Sequence, residues 1–219
     1  MPKVSFRMAS ASHTEGRLTT APRGCRGTKP ALATSNRQMV SAAPLQPDAG
    51  LVGQAVSGDE AAFDALVGPV LEPAYKLATV MLRDREEARD AVQEACFMAW
   101  KNMSQLRAID RFSQWFLTIV ANRCRSVIRT RWWRTLRLPL PGAAHELDRT
   151  GVETDLDLRR ELGRLSPNER AALFLYFYMD LPLSEVGKVL RVSPKAARSR
   201  VHRAVTKLRL SMQQQEVSS

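Results

Sequence analysis

Residues 181–210 read LPLSEVGKVLRVSPKAARSRVHRAVTKLRL, and this stretch decides the fold of the C-terminal part of the chain. Leu183 to Leu190 has apolar residues at helical spacing. Arg191-Val192-Ser193 reads as a tight turn. Ser193-Pro194 then supplies an N-cap followed by a proline at the first helical position of a helix running to about Leu210. Val186, Val189 and Leu190 are expected to face Val192, Ala197, Val201 and Leu208. Two short helices joined by about three residues make a helix-turn-helix. Its second helix leaves Lys195, Arg198, Ser199, His202 and Arg203 outward, the side that enters a major groove. Arg198 suits a bidentate pair with a guanine edge, and Ser199 a base or phosphate. Arg200 and Lys207 lie to another side, expected on phosphates, which position without specifying. A helical hairpin with a wet basic face fits the same spacing. From Lys195 to Arg209, however, there are six bases and no acid, whereas a solvated face mixes both signs.

Moving outward, Ser166-Pro167-Asn168-Glu169 combines an N-cap, a first-position proline and a capping-box glutamate. It opens a strongly apolar helix expected to reach Met179, preceded by a helix over 155–165. Residues 138–157 begin with prolines and glycine, turn acidic and have no apolar period, so they read as a flexible linker. Upstream, Ser57-Gly58-Asp59-Glu60 reads as a capping box for a helix burying Phe63, Leu66 and Val67, interrupted by Pro69 and Pro73. A second helix follows from Pro73 to Leu82. Asp84 to Asn102 is a long helix with Ala88, Ala91, Val92, Ala95 and Ala99 on its apolar side. Phe112 to Arg131 is another, expected to bury Phe116, Ile119, Val120 and Val127. No strand signal occurs. The expectation is an all-α protein of two helical domains, 48–137 and 158–212, joined by the 138–157 linker.

The 219 residues carry 33 Lys+Arg against 22 Asp+Glu, a formal charge of +11. Residues 1–47 hold seven bases and one acid with almost no apolar period, so they are expected to form a disordered basic tail. Residues 213–219 are expected to be a second disordered tail. The longest apolar stretch, Ala171 to Met179, is far short of the roughly 20 residues of a membrane span, so no membrane insertion is expected. Cys25, Cys96 and Cys124 are widely separated with no CxxC, which argues against a disulfide scaffold or zinc site and fits a reducing compartment. No phosphate loop, GxSxG or HExxH occurs, so neither an enzyme nor a cofactor is expected.

In the N-terminal domain Asp90, Gln93 and Glu94 stand at i, i+3 and i+4 and form one polar face, with Trp100 one and a half turns further on. Alone this is a solvated face. Arg123 to Arg137 contains six arginines and no acid, with Trp132 and Trp133 among them. In the same helix Trp115, Asn122, Arg125 and Arg129 follow the loop 106–111. Aromatics beside arginines offer stacking for unpaired bases together with phosphate contacts. Core packing is the other role open to Trp115.

Three stretches together resemble a bacterial sigma-70-family RNA polymerase sigma factor of the extracytoplasmic-function (ECF) group. They are LRDREEARDAVQE (82–94), FSQWF (112–116) continuing through Ile119, Ala121, Asn122 and Arg129, and Leu181–Glu185 with LRVS (190–193) and RSRVHRA (198–204). The resemblance spans about 55–135 and 155–210. It implies a region 2 helical bundle and a region 4 helix-turn-helix. It also implies promoter-specific initiation with core RNA polymerase, in a stress or envelope response and in the cytoplasm at the nucleoid, with no catalysis and an anti-sigma factor as a possible partner. Asp90, Gln93, Glu94 and Trp100 would bind polymerase. Trp115, Asn122, Arg125, Arg129 and the 106–111 loop would act on the −10 element. Lys195, Arg198, Ser199, Arg200, His202 and Arg203 would act at the −35 element, and the linker would thread toward the polymerase active site. Arg191 replaces the family's usual corner glycine, Pro182 its serine cap, Gly187 a small alanine, Ala196 a threonine, Cys96 an aromatic and Ser126 an aspartate. A helix-turn-helix regulator of duplex DNA is the alternative. It needs neither the Asp90-Gln93-Glu94 face nor the Trp115/Asn122 helix.

Overall fold

A short helix that periodicity did not announce opens the structure. The computed structural model describes residues 49–106, 111–137 and 160–218, which belong to one unit, 42–219. The sequence's 1–47 tail, most of the 106–111 loop and the 138–157 linker lie outside the described residues. Helix α1 (Ala49–Val56) buries Val52 and Ala55. Ser57 belongs to its end, donating from Oγ to the Gly53 carbonyl at 3.1 Å. Gly58, at φ 97°, makes the corner. Asp59, not Ser57, caps helix α2 (Glu60–Leu82), accepting from the amides of Ala61 and Ala62 at 2.9 and 3.1 Å.

Helix α2 runs unbroken through Pro69 and Pro73, where the sequence suggested two helices. Each proline forfeits a hydrogen bond and crowds a carbonyl one turn back, at about 3 kcal/mol. Pro69 is exposed and Pro73 half-buried, on the outer side of the helix, where water reaches the freed carbonyls. Ten side chains on the other side, from Ala62 to Leu82, are buried, and their packing outweighs the loss. By length and composition this 23-residue helix could cross a membrane. Its apolar side is instead packed among α1, helix α3 (Arg85–Lys101) and helix α4 (Phe112–Arg137).

Helix α3 is capped by Asp84, which accepts from the Glu87 amide at 2.9 Å. It buries mainly alanines, so α2 and α4 approach it closely. A 3₁₀ turn, Met103–Gln105, follows. Helix α4 buries Phe112, Phe116, Leu117, Val120, Ala121 and Cys124; Ile119 and Val127 are only half-buried. It runs past the expected Arg131 to Arg137, because no residue in that arginine-rich segment breaks a helix. Burial pushes the Cys124 thiol up to about 12 and the Cys96 thiol to about 11, so both stay protonated.

The second lobe follows the expected order. Residues 160–164 are helical. Ser166 and Glu169 form a reciprocal capping box at the start of helix α5 (Pro167–Leu173), which widens into a π turn, Phe174–Tyr178, instead of continuing as α-helix to Met179. Helix α6 (Leu183–Leu190) and helix α7 (Pro194–Ser218) form the helix-turn-helix around Val186, Val189, Leu190, Ala197, Val201 and Ala204. The backbone of 213–218 is helical, against the expected disordered end, because the glutamines there continue a helix readily. The corner is tight. Arg191 is left-handed at φ 54°, the Val192 amide donates to the Gly187 carbonyl at 2.8 Å, and a Cβ on Gly187 would lie 2.8 Å from the Val192 carbonyl oxygen.

Buried Arg170 ties the lobes together. Its guanidinium donates to the carbonyls of Val80 (2.6 Å), Met81 (2.8 Å) and Leu165 (2.5 Å). Two of these close the C-terminal end of α2, where unpaired carbonyls and the helix dipole favour a cation. Burial, then the neighbouring Arg83, lowers its pKa to about 10, still charged at neutral pH. Among the described residues there is no strand, and the all-α expectation holds.

Candidate nucleic-acid interface

The second lobe presents its basic residues as the sequence required. Lys195, Arg198, Ser199, His202 and Arg203 are all exposed along one side of α7. The opposite side is pinned by Ala197, Val201 and Ala204, whose spacing holds the helix against α6 and α5. Ser199 bonds back to the Lys195 carbonyl at 3.0 Å, and its hydroxyl oxygen still has accepting capacity. Arg198 and Arg203 form no ion pair among the described residues, so both guanidinium forks are available to an anion.

Of the two bases the sequence placed on phosphates, Lys207 is paired within the protein and Arg200 is half-buried. Lys207 donates to both carboxylate oxygens of Glu169, at 2.8 and 3.0 Å. Sequence spacing could not show this, because the partner lies 38 residues away. Burial raises the Glu169 pKa, but the Lys207 and Ser166 hydrogen bonds outweigh it and hold the carboxyl below its usual range. Arg200 is half-buried and turned toward α4. There, with Arg191, it lies close enough to Arg125 for like-charge repulsion.

In the first lobe Trp115, Asn122, Arg125 and Arg129 fall on one stripe of α4, each three, four or seven residues from the next. Trp115 has a mixed role: it is half-buried and tilted against Phe112 at 5.9 Å. Arg125 donates through Nη2 to the Asn122 side-chain oxygen and through Nη1 to the Leu190 carbonyl at 3.3 Å. Burial, then Arg191 and Arg200, lowers the pKa of this guanidinium. The stripe therefore meets the end of α6 in its middle, and Arg129, with Trp132 and Trp133 beyond it, is exposed.

On α3, Asp90, Gln93 and Glu94 are exposed on one face. A groove between α3 and α4 runs beside them, lined by Glu87, Asp90, Glu94, Arg123, Val127 and Arg131. Two ion pairs bridge it, Glu94 to Arg123 (2.7 Å) and Glu87 to Arg131, leaving Asp90 between them with no ion pair among the described residues. Trp100 is half-buried with its ring edge against Phe63 at 5.1 Å, so much of its indole serves the core. The sequence reading missed Phe97 and Met98. They are 63% and 46% exposed and continue the Gln93/Glu94 face by one turn. Their i+4 spacing from those two residues was the available signal.

Comparisons with known proteins agree with this geometry. A model of sigma-70 region 2 matches residues 66–134, and one of sigma-70 region 4 matches 162–210. The chain is 32% identical to the ECF RNA polymerase sigma factor SigM of Mycobacterium tuberculosis, over 74% of this chain and 82% of that protein. It is 24% identical to the ECF RNA polymerase sigma factor SigW of Bacillus subtilis, over 72% of this chain and 92% of that protein. The sigma factor RpoE, solved with the anti-sigma factor NepR from Bartonella quintana, aligns with a TM-score of 0.59 at 21% identity, over 69% of this chain and 96% of RpoE. CnrH, solved with the cytosolic domain of CnrY, aligns at 0.55 and 26%, over 74% of this chain and 95% of CnrH. The two family models together match more than half of the chain, and with the 32% identity to SigM they show that the chain belongs to the sigma-70 family as an ECF RNA polymerase sigma factor.

Proposed function

We propose that this sigma factor divides promoter recognition between its two lobes. The α7 face of Lys195, Arg198, Ser199, His202 and Arg203 reads the −35 duplex. Asn122, with Trp115, Arg125, Arg129 and the 106–111 loop, holds a base of the melted −10 strand. The observation that carries this reading is the contrast in accessibility. The α7 face is open and rigidly backed, as groove reading needs, whereas Asn122 is tied through Arg125 to Leu190. The lobes therefore part at that contact before a flipped base is captured. Core polymerase docks on Asp90, Gln93 and Glu94, extended by Phe97 and Met98. The protein carries no catalytic step of its own and acts in the cytoplasm at the nucleoid. RpoE was solved with an anti-sigma factor, and an anti-sigma partner is extended to this chain on that likeness. Lys207, paired with Glu169, and Arg200, half-buried, contribute less to DNA than the exposed, unpaired bases of α7.

The test is promoter binding and melting by reconstituted holoenzyme. Arg198→Ala should weaken promoter binding by about 1–3 kcal/mol and relax selectivity at one −35 base pair. Asn122→Ala should spare initial binding but reduce permanganate reactivity of unpaired −10 thymines. A melting defect in Arg198→Ala on a pre-bound promoter, or altered −35 preference in Asn122→Ala, would overturn the division.

A further inference from the structure

We propose that Trp132 and Trp133 form a stacking corner for one unpaired promoter base, separate from the base held at Asn122. The proposal rests on the reading of α4 as the −10 helix. The two indoles are 57% and 51% exposed, although burying such a side chain stabilises a fold by more than almost any other. They touch each other, with centroids 4.9 Å apart and planes at 71°. A planar ring laid on the face of one indole meets the edge of the other, so the pair is shaped for a single flat aromatic group. Both residues fall three and four positions after Arg129, and so continue the Asn122–Arg125–Arg129 stripe.

Charge selects the occupant. From Arg123 to Arg137 there are six arginines and no acid. Arg123 and Arg131 are neutralised by Glu94 and Glu87 on α3. Arg129 is exposed and forms no ion pair among the described residues. A cation beside exposed indoles fits a phosphate attached to a base, the combination used for single strands. Ten or eleven residues at 1.5 Å rise put the corner about 15–17 Å along α4 from Asn122. An unpaired strand advances at least the roughly 3.4 Å per nucleotide of a stacked one, so the second base lies no more than about five nucleotides from the first.

The experiment uses holoenzyme with the full chain and promoter DNA carrying 2-aminopurine at one position at a time. For the unaltered protein, quenching is expected at a position within about five nucleotides of the one that responds to Asn122→Ala. Trp132→Ala/Trp133→Ala should abolish that quench and shorten open-complex lifetime roughly 5- to 150-fold, the span of one lost base stack. Trp132→Phe/Trp133→Phe should retain most of both. Normal quenching and lifetime in the double alanine variant, with Asn122→Ala still defective, would overturn the corner and leave the −10 reading standing. A quench lost only in the tryptophan variant, with Asn122→Ala inert, would support the corner and remove Asn122's role. No effect from either change would overturn both. Weakened assembly with core polymerase and no position-specific quench would overturn the corner in favour of a protein-binding surface.

Discussion

Arg125 of α4 donates to the carbonyl of Leu190, the last residue of α6, at 3.3 Å, and this joins the Trp115–Arg129 stripe to the corner between α6 and α7. The contact forms against a local repulsion, because Arg191 and Arg200 lie close enough to the same guanidinium to repel it. Relieving the repulsion should strengthen the closed arrangement. Arg200→Gln is therefore expected to stabilise the protein by about 0.5 kcal/mol in urea unfolding, with a smaller gain at high salt, where the charges are already screened. Destabilisation by Arg200→Gln at low salt would show that Arg200 supports the contact.

The stronger tie between the lobes is Arg170. Removing its guanidinium strands the carbonyls of Val80, Met81 and Leu165 away from water. Each unsatisfied buried acceptor costs about 1–3 kcal/mol, partly offset by no longer burying a charge. Arg170→Met should cost about 2–4 kcal/mol in denaturant unfolding. Arg170→Lys should rescue little, because one ammonium on a flexible stem does not reproduce the guanidinium's fork. A cost under 0.5 kcal/mol for both variants would mean that the carbonyls find other donors.

Arg170 also shows what the sequence could not disclose. Its place in α5, one residue after the capping-box Glu169, was legible from Ser166-Pro167 and Glu169. Its benefit comes from the end of α2, some 90 residues earlier, which no local pattern reports. The Glu169–Lys207 pair was illegible for the same reason: its partners are 38 residues apart. Periodicity served well where a helix buries one side, as in α3, α6 and α7, and in the outward set from Lys195 to Arg203. It failed at Pro69 and Pro73, where tertiary burial overrides a local breaker. It also left Phe97 and Met98 unremarked, although both are exposed one turn beyond Gln93 and Glu94.

The Glu169–Lys207 pair gives stability a pH signature. The Glu169 carboxyl sits below the ordinary carboxylate value of 4.5 because Lys207 and Ser166 favour its ionised form over the opposing effect of burial. A depressed carboxyl pKa contributes stability that is complete above the unfolded value and is lost as pH falls through the folded one. Unfolding free energy should therefore drop on acidification below about pH 4.5. Glu169→Gln should lower stability at pH 7 and flatten that acid limb. A variant whose acid limb is as steep as that of the unaltered protein would assign the effect to other carboxylates.

The corner between α6 and α7 makes two substitutions act in opposite directions within five residues. Gly187 has no room for a side chain, since a Cβ would stand 2.8 Å from the Val192 carbonyl oxygen, and that carbonyl is backbone in the turn itself. Gly187→Ala must shift the turn and should destabilise by about 1–3 kcal/mol. Arg191 is held left-handed at φ 54° and ψ 50°, a conformation costing a non-glycine residue about 1 kcal/mol or more. Arg191→Gly removes that strain and a cation facing Arg125; against this, glycine gives the unfolded chain more freedom to lose. The net expectation is a gain of about 0.5 kcal/mol, read as a higher urea midpoint at unchanged slope. Because the turn aims α7, Gly187→Ala should also weaken −35 binding relative to −10 melting, whereas Arg191→Gly should leave −35 selectivity intact. A Gly187→Ala protein of full stability would show that the turn yields easily, and loss of −35 selectivity in Arg191→Gly would show that this arginine touches DNA.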